Sequence, residues 1–119
     1  MCRIRYNTRI NIWKKEYKIN YNGKGNLIPV GGGKDSNVTL ELLKGEENTC
    51  FIINPKGANI ECANISGYNT ITIKRILDKK IIELNKEGFL NGHTPFSAIV
   101  AFTSFLCAYL SNKKYIVLS

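Results

Sequence analysis

Residues 27–36 read Leu-Ile-Pro-Val-Gly-Gly-Gly-Lys-Asp-Ser, and the fold prediction starts from these ten residues. Its first four residues form a short apolar run, which is typical of a buried strand, and three glycines end that run. After Ser36, apolar residues recur at helical spacing as far as Leu43, and Gly45 is a stop signal. The stretch therefore predicts a strand, a glycine loop and a helix.

The same alternation continues along the chain. It predicts strands at residues 51–53, 71–73 and 115–118, and helices at residues 58–63, 76–84 and 95–110. Thr94 is a plausible N-cap for the last helix, with Pro95 at its first position. That helix is apolar nearly all round, which predicts burial between two layers. Alternating strands and helices predict an α/β fold with a doubly wound parallel sheet.

The chain ends at Ser119, directly after the last predicted strand. Doubly wound sheets bind their ligands beside the carboxyl ends of the strands, where the strand order reverses. A further active-site loop is expected at that point. We therefore interpret the sheet as partial, lacking its C-terminal part, and the chain as a fragment of a larger enzyme.

Length and charge limit the function classes. The 119 residues fit one domain, and their net charge is +8. Residues 1–26 alone carry a net charge of +6, and their loose alternation predicts a β-hairpin or the remnant of an upstream domain. This segment lacks an RNA-binding consensus, so we do not expect nucleic-acid binding. The apolar stretch at residues 95–110 is shorter than the roughly 20 residues of a membrane helix.

Four cysteines without a CxxC pair predict reduced thiols in a cytoplasmic protein. Three of them, Cys50, Cys62 and Cys107, lie in apolar surroundings in the sequence. Free cysteine is among the most frequently buried residue types, so we expect these three thiols in the core.

The glycine loop is the stretch most suited to chemistry. Gly31, Gly32 and Gly33 let the backbone approach an anion closely, and the next helix begins with free N–H groups. Lys34 adds a cation and Ser36 a hydroxyl, so the loop suits phosphate or pyrophosphate. Neither the P-loop nor the GxGxxG fingerprint matches, because Asp35 follows the lysine and Ser36 stands where a glycine is needed. A glycine turn that merely reverses the chain is the alternative.

Gly31–Ser36 resembles the PP-loop of the ATP pyrophosphatase superfamily, written SGGxDS, with Gly31 in place of the serine. The resemblance implies cleavage of ATP between its α- and β-phosphates. It also implies an adenine nucleotide alpha hydrolase-like fold, of which residues 27–119 would form the N-terminal half.

Residues 27–119 are also similar to the UDP-N-acetylmuramoyl-L-alanyl-L-glutamate epimerase family. The similarity rests on PVGGGKDS and on Asn54-Pro55, Arg75, Asp78, Leu84-Asn85, Gly88 and Asn91-Gly92-His93-Thr94-Pro95. It implies that ATP and Mg²⁺ are used to invert the terminal L-glutamate of a nucleotide-linked peptidoglycan precursor through an acyl-adenylate. Ser119 would be the first residue of the family's Ser-Asn-Glu loop.

The resemblance also implies roles for single residues. Gly31, Gly32, Gly33, Lys34, Asp35 and Ser36 would bind ATP, and Asp35 would help to hold Mg²⁺. His93 would transfer a proton or contact phosphate, although a histidine that only orders its turn is equally compatible. Arg75 and Asn91 would bind the substrate, and for Arg75 simple solvation is the alternative.

Two other functions remain open at this point. One is a different PP-loop adenylating enzyme that modifies tRNA or a nucleobase, with the basic segment contacting tRNA. The other is a non-catalytic ATP-binding remnant. The sequence leaves the oligomeric state open.

Overall fold

The computed structural model describes residues 20–89 and 94–119. Within these ranges, strands and helices alternate along most of the chain. They are β1 (Asn26–Pro29), α1 (Lys34–Leu42), β2 (Asn48–Ile53), α2 (Gly57–Ser66), β3 (Asn69–Ile73), α3 (Lys79–Lys86), α4 (Thr94–Leu110) and β4 (Tyr115–Ile116).

The strands form one parallel sheet in the order β3-β2-β1-β4, which confirms the predicted α/β class. Leu27 of β1 lies opposite Thr49 on one side and Ile116 on the other. From β1 the chain moves outward to β3, and it then returns through α3 and α4 to the far side of β1. The strand order therefore reverses between β1 and β4, where open α/β sheets bind their ligands.

The two central strands are buried on both faces. Ile28 and Ile52 pack with Leu40 of α1 and Ala63 of α2. On the opposite face, Leu27 and Phe51 pack with Ala108 of α4. Burial on both faces explains why these strands read as continuous apolar runs rather than as alternating ones.

Two helices, α1 and α3, begin more than one residue away from the start that the apolar spacing predicts. α1 already begins at Lys34, so Lys34, Asp35 and Ser36 form its first turn rather than a preceding loop. α3 begins only at Lys79, because the Asp78 carboxylate accepts a hydrogen bond from the Lys80 amide at 2.9 Å. This N-cap fixes the start of the helix more strongly than the apolar side chains before it.

The predicted burial of α4 on all sides is wrong for the described part of the chain. Ser104 and Ala108 are buried against the sheet. Phe102, Phe105 and Leu110 are 77%, 67% and 74% exposed. The reason is geometric: among the described residues, the sheet packs on one side of α4 and no second layer covers the other. None of the described helices is both long and apolar enough to cross a membrane.

Tyr21 fastens the start of the described chain to α4. Its ring stacks on Tyr109 with 5.7 Å between ring centroids. Its hydroxyl donates to the Ala108 carbonyl at 3.1 Å and also to the Lys113 carbonyl. Residues 1–19, which make up most of the predicted hairpin, lie outside the described residues.

The core prediction for the cysteines is confirmed for Cys50 and holds only in part for Cys62 and Cys107, which pack against the edge of the core. Cys50 is fully buried, Cys62 and Cys107 are partly buried, and all three are free thiols.

Candidate nucleotide-binding cleft

The glycine loop continues directly from the carboxyl end of β1. The Val30 amide still donates to the Phe51 carbonyl at 2.8 Å, so the loop starts from a fixed strand end. Gly32 has a φ of +87°, and a Cβ at this residue would lie 2.7 Å from the Asn59 amide nitrogen. Gly32 therefore packs against the backbone of α2, and only glycine fits there.

The other two glycines are not required by packing. A Cβ on Gly33 would meet no atom within 4 Å, and a Cβ on Gly31 would meet only the Ser36 hydroxyl at 3.9 Å. Gly33 also has an ordinary extended conformation, with φ −90° and ψ −177°. The space that a side chain would occupy at Gly31 or Gly33 is therefore open, and the backbone there is accessible to a ligand.

Ser36 shapes the loop from the first turn of α1. Its side chain is buried, and its Oγ accepts a hydrogen bond from the Gly31 amide at 3.1 Å. Ser36 thus ties the first loop residue to the helix. The hydroxyl proton is still available to an acceptor, because a serine hydroxyl can accept and donate at once.

The first turn of α1 is well suited to an anion. Gly33 occupies the N-cap position, and no side chain caps the helix. The first-turn amides therefore point out from the positive end of the helix dipole without a side-chain acceptor. Lys34 and Asp35 are both exposed beside these amides.

A cleft of about 320 Å³ extends from the loop towards α4. Its lining includes Gly31 and Ser36 of the loop, Asn59 of α2 and Phe96 of α4. The cleft occupies the carboxyl edge of the sheet beside the switch point. A larger groove of about 600 Å³ runs between α1 and α2, but it includes only Gly32 of the loop.

Arg75 follows β3 at the same edge of the sheet. Its backbone amide donates to Asn54 Oδ1 at 2.6 Å, and its guanidinium carbon lies 4.9 Å from the centre of the Phe96 ring. Its Nε is buried and has no hydrogen-bond partner among the described residues. The sequence patterns predict no role for Asn54 or Phe96. The Asn-Pro pair that ends β2 was the available signal for Asn54, whereas nothing in the sequence points to Phe96.

Comparison with known proteins identifies the family. The model of the MurL N-terminal domain matches residues 2–119 of the chain. The chain belongs to the MurL N-terminal domain family. The match includes both the basic N-terminal segment and the parallel sheet.

Curated relatives of this MurL N-terminal domain share one name, UDP-N-acetyl-alpha-D-muramoyl-L-alanyl-L-glutamate epimerase. The Xanthomonas oryzae protein is 35% identical over 95 residues, covering 78% of this chain and 21% of the relative. The Salinispora tropica protein is 37% identical over 100 residues, covering 82% and 22%. The chain thus spans about a fifth of the length of these relatives. No solved structure matches it.

Asn91 and His93, two of the predicted site residues, lie outside the described residues. Of the predicted loop residues, Gly31 and Ser36 line the cleft. Arg75 is not part of the lining, but its guanidinium contacts Phe96, which is. Within residues 20–89 and 94–119, no group of three or more histidine, cysteine or acidic side chains could hold a metal ion by itself.

Proposed function

We propose that the chain forms the ATP-binding part of an enzyme that epimerises the terminal L-glutamate of UDP-MurNAc-L-Ala-L-Glu. Membership of the MurL N-terminal domain family and the names of the curated relatives support the reaction. The observation that carries the nucleotide-binding role is the open loop at Gly31–Gly33, followed by the uncapped first turn of α1.

The proposal includes the PP-loop assignment and an adenine nucleotide alpha hydrolase-like fold for residues 27–119, with residues 1–26 as a separate basic segment. The parallel sheet supports it, because its order reverses beside the strand that leads into the glycine loop. Family membership favours the epimerase over a tRNA- or nucleobase-modifying enzyme.

The loop fits a phosphate group in its shape and charge. The bare Cα of Gly33 and the first-turn amides of α1 offer close contact, and Lys34 supplies a positive charge. Mg²⁺ usually binds to one or two carboxylates together with substrate phosphates. The exposed Asp35 carboxylate in the first turn is suited to share a magnesium ion with the phosphates of ATP.

ATP would supply the activation of the glutamate carboxylate as an adenylate, which acidifies the neighbouring α-proton. The protein would hold the phosphates at Gly31–Ser36 and orient the substrate through Arg75 and Asn91. His93 would transfer a proton on one face of the glutamate Cα as a general base or acid. Removal of the α-proton from one face and delivery of a solvent-derived proton to the other would invert the carbon. Water would then hydrolyse the adenylate, which releases AMP and restores the carboxylate, pyrophosphate having left when the adenylate formed.

The test is to incubate the 119-residue chain in D₂O with ATP, Mg²⁺ and UDP-MurNAc-L-Ala-L-Glu. Release of AMP and pyrophosphate, together with deuterium at the glutamate Cα, is the result the proposal predicts for a competent enzyme. Lys34→Gln should weaken ATP binding, since it removes a charge beside the loop. Lys44→Gln is the matched control, because Lys44 lies beyond the other end of α1 and pairs with Glu41.

Three other outcomes bear on the proposal and its alternatives. ATP binding without turnover supports the loop assignment but does not choose between the ATP-binding part of a larger enzyme and a non-catalytic remnant, whereas turnover by the chain rules out the remnant. Binding to tRNA with a steep salt dependence supports the tRNA-modifying enzyme. Absence of ATP binding, or equal affinity of the Lys34→Gln and Lys44→Gln variants for ATP, contradicts the proposed role of the loop.

A further inference from the structure

Arg75 is a partly buried cation at the carboxyl edge of the sheet whose charge is not neutralised within the described chain. None of the ion pairs among residues 20–89 and 94–119 includes it. Its Nε donor is buried without an acceptor. Structures rarely leave a buried donor unsatisfied, and burying a charge is costly unless it is paired. An oxyanion arriving beside the guanidinium would satisfy both requirements.

Two neighbours hold this side chain in place. The Phe96 ring lies under the guanidinium at 4.9 Å, an arrangement that suits the weakly hydrated, planar arginine head. Asn54 fixes the backbone of Arg75 by accepting its amide hydrogen at 2.6 Å. Asn54 itself has a φ of 53°, and its amide donates to the Ile73 carbonyl at 2.8 Å, so it clamps the end of β3 to that of β2.

Phe96 also connects Arg75 to the cleft. It lies in the first turn of α4 and lines the same cleft as Gly31 and Ser36. The positive end of the α4 dipole is therefore close to the guanidinium, and both favour a negative group there. Arg75 does not line the cleft itself, but its contact with Phe96 places it beside the cleft, as a second anion-binding position apart from the glycine loop.

We propose that Arg75 binds a carboxylate of the acidic peptide substrate, and that Phe96 and Asn54 are positioning residues that aim its guanidinium. The inference rests on the proposed function, which it deepens by assigning different anions to the glycine loop and to Arg75. Phosphate binds at Gly31–Ser36, and the carboxylate binds at Arg75. The planar fork of arginine matches a carboxylate in two parallel hydrogen bonds.

The experiment follows the Arg75 Nε–H signal of the ¹⁵N-labelled 119-residue chain by NMR. The probe is L-alanyl-L-glutamate, and the control peptide is L-alanyl-L-glutaminamide, which has no carboxylate. We expect the dipeptide acid, but not the control, to shift the signal. Phe96→Leu and Asn54→Gly should each raise the dissociation constant at least fivefold, because the guanidinium is no longer aimed. Glycine at residue 54 keeps the positive φ and removes only the acceptor.

Matched variants keep the result interpretable. Phe96→Tyr retains the aromatic face and should restore near-normal binding. Phe102→Leu, on an exposed side of the same helix, should leave it unchanged. The amide spectrum of each variant reports whether the fold is intact. Binding by Arg75→Gln is followed through the backbone amides, since this variant lacks the guanidinium signal. Normal binding by the Phe96→Leu and Asn54→Gly variants, normal binding by Arg75→Gln, or no binding by the unmodified chain would each overturn the inference.

A parallel titration with Mg-ATP separates this inference from the proposed function. ATP should shift the backbone amides of Gly31–Ser36 in the unmodified chain and in the Asn54→Gly variant alike, because Asn54 does not line the cleft. If ATP shifts these amides while L-alanyl-L-glutamate has no effect at Arg75, the carboxylate site is wrong and the nucleotide site stands. If L-alanyl-L-glutamate binds and ATP does not, the proposed nucleotide role fails while the carboxylate site stands.

Discussion

The two sides of this molecule use their apolar residues in opposite ways. Around β1 and β2, Leu27, Ile28 and Phe51 are at most 1% exposed. Other large apolar side chains face outward. Ile76, which precedes α3, is 80% exposed, and Phe102 of α4 is 77% exposed. The strands β1 and β2, which position the glycine loop, are therefore fixed by packing within the described chain. The outer faces of α3 and α4 contribute little to that packing.

The largest difference between the two sides is expected for phenylalanine truncation. Phe51→Ala removes a buried ring from the centre of the sheet and should destabilise the fold by about 3–5 kcal/mol. Phe105→Ala, with a side chain that is 67% exposed, should change stability by less than about 0.5 kcal/mol. Urea unfolding followed by circular dichroism measures both values. Equal destabilisation would show that α4 is as well packed as β2.

The second contrast lies within the loop itself. Gly32→Ala forces an alanine into a positive φ and against the backbone of α2. The left-handed conformation alone costs about 1–2 kcal/mol, and the contact adds to that cost. Gly33→Ala meets no atom within 4 Å, so it should lower the unfolding midpoint far less than Gly32→Ala does, by no more than the preference for glycine over alanine at an N-cap. Matching midpoints for the two variants would contradict this assignment of the glycines.

A weaker, pH-dependent effect is expected from the thiol in the core. Burial raises the pKa of Cys50, with a smaller opposing contribution from its contact with Ser66 Oγ at 3.6 Å. An unfolded cysteine ionises near pH 8.5, while the folded thiol keeps its proton at that pH. The stabilising contribution is therefore complete below about pH 8.5 and is lost as the pH rises through the folded pKa.

Urea midpoints measured from pH 7 to pH 10 check this effect. They should fall with pH in the unmodified chain and fall less steeply in Cys50→Ala. Burial also raises the pKa of Cys107, which is less buried, so Cys107→Ala should flatten the profile by a smaller amount. An unchanged slope in Cys50→Ala would show that this thiol does not ionise differently in the two states.

The smallest effect is expected at the amino edge of the sheet. Lys113 Nζ lies 2.9 Å from Glu47 Oε1, and its hydrogen bond and charge lower the pKa of that carboxyl. The stabilisation is present above the unfolded pKa, about 4.3, and is lost as the pH falls through the folded value. Glu47→Gln should therefore lower the midpoint slightly at pH 7 and not at pH 2, and salt should reduce the difference.

Glu41→Gln serves as the control for that pair. Glu41 pairs with Lys44 at 3.1 Å, but both side chains are more than 70% exposed. Its substitution should have no measurable effect on the midpoint. A larger change for Glu41→Gln than for Glu47→Gln would contradict the ranking by exposure.

Sequence patterns predicted the parts of the fold that depend on neighbouring residues in the chain. The apolar runs that end in Gly31 and in Asn54 marked β1 and β2, because strands buried on both faces need such runs. Their alternation with helical spacing was enough to predict a parallel sheet. Contacts between residues far apart in the sequence could not be predicted from these patterns. The contact between Arg75 and Phe96 depends on how α4 packs beside the end of β3.

The loop shows the same limit at finer scale. Gly32 and Gly33 are the same residue type, and the sequence alone implies the same role for both. Backbone φ and the position of Asn59 distinguish them, since the first is needed for packing and the second is open. The outward-facing side of α4 was missed for a related reason: hydropathy indicates which residues prefer burial and does not show what covers them.

Calorimetric titration of Mg-ATP into the unmodified chain and the Gly33→Ala variant tests whether the glycine loop binds a nucleotide. The unmodified chain should bind ATP, and Gly33→Ala should remain folded but bind at least tenfold more weakly, because its methyl group would stand in the open space beside the first-turn amides of α1. Equal affinity of the two proteins, or no binding by the unmodified chain, would contradict the claim that this loop binds a nucleotide.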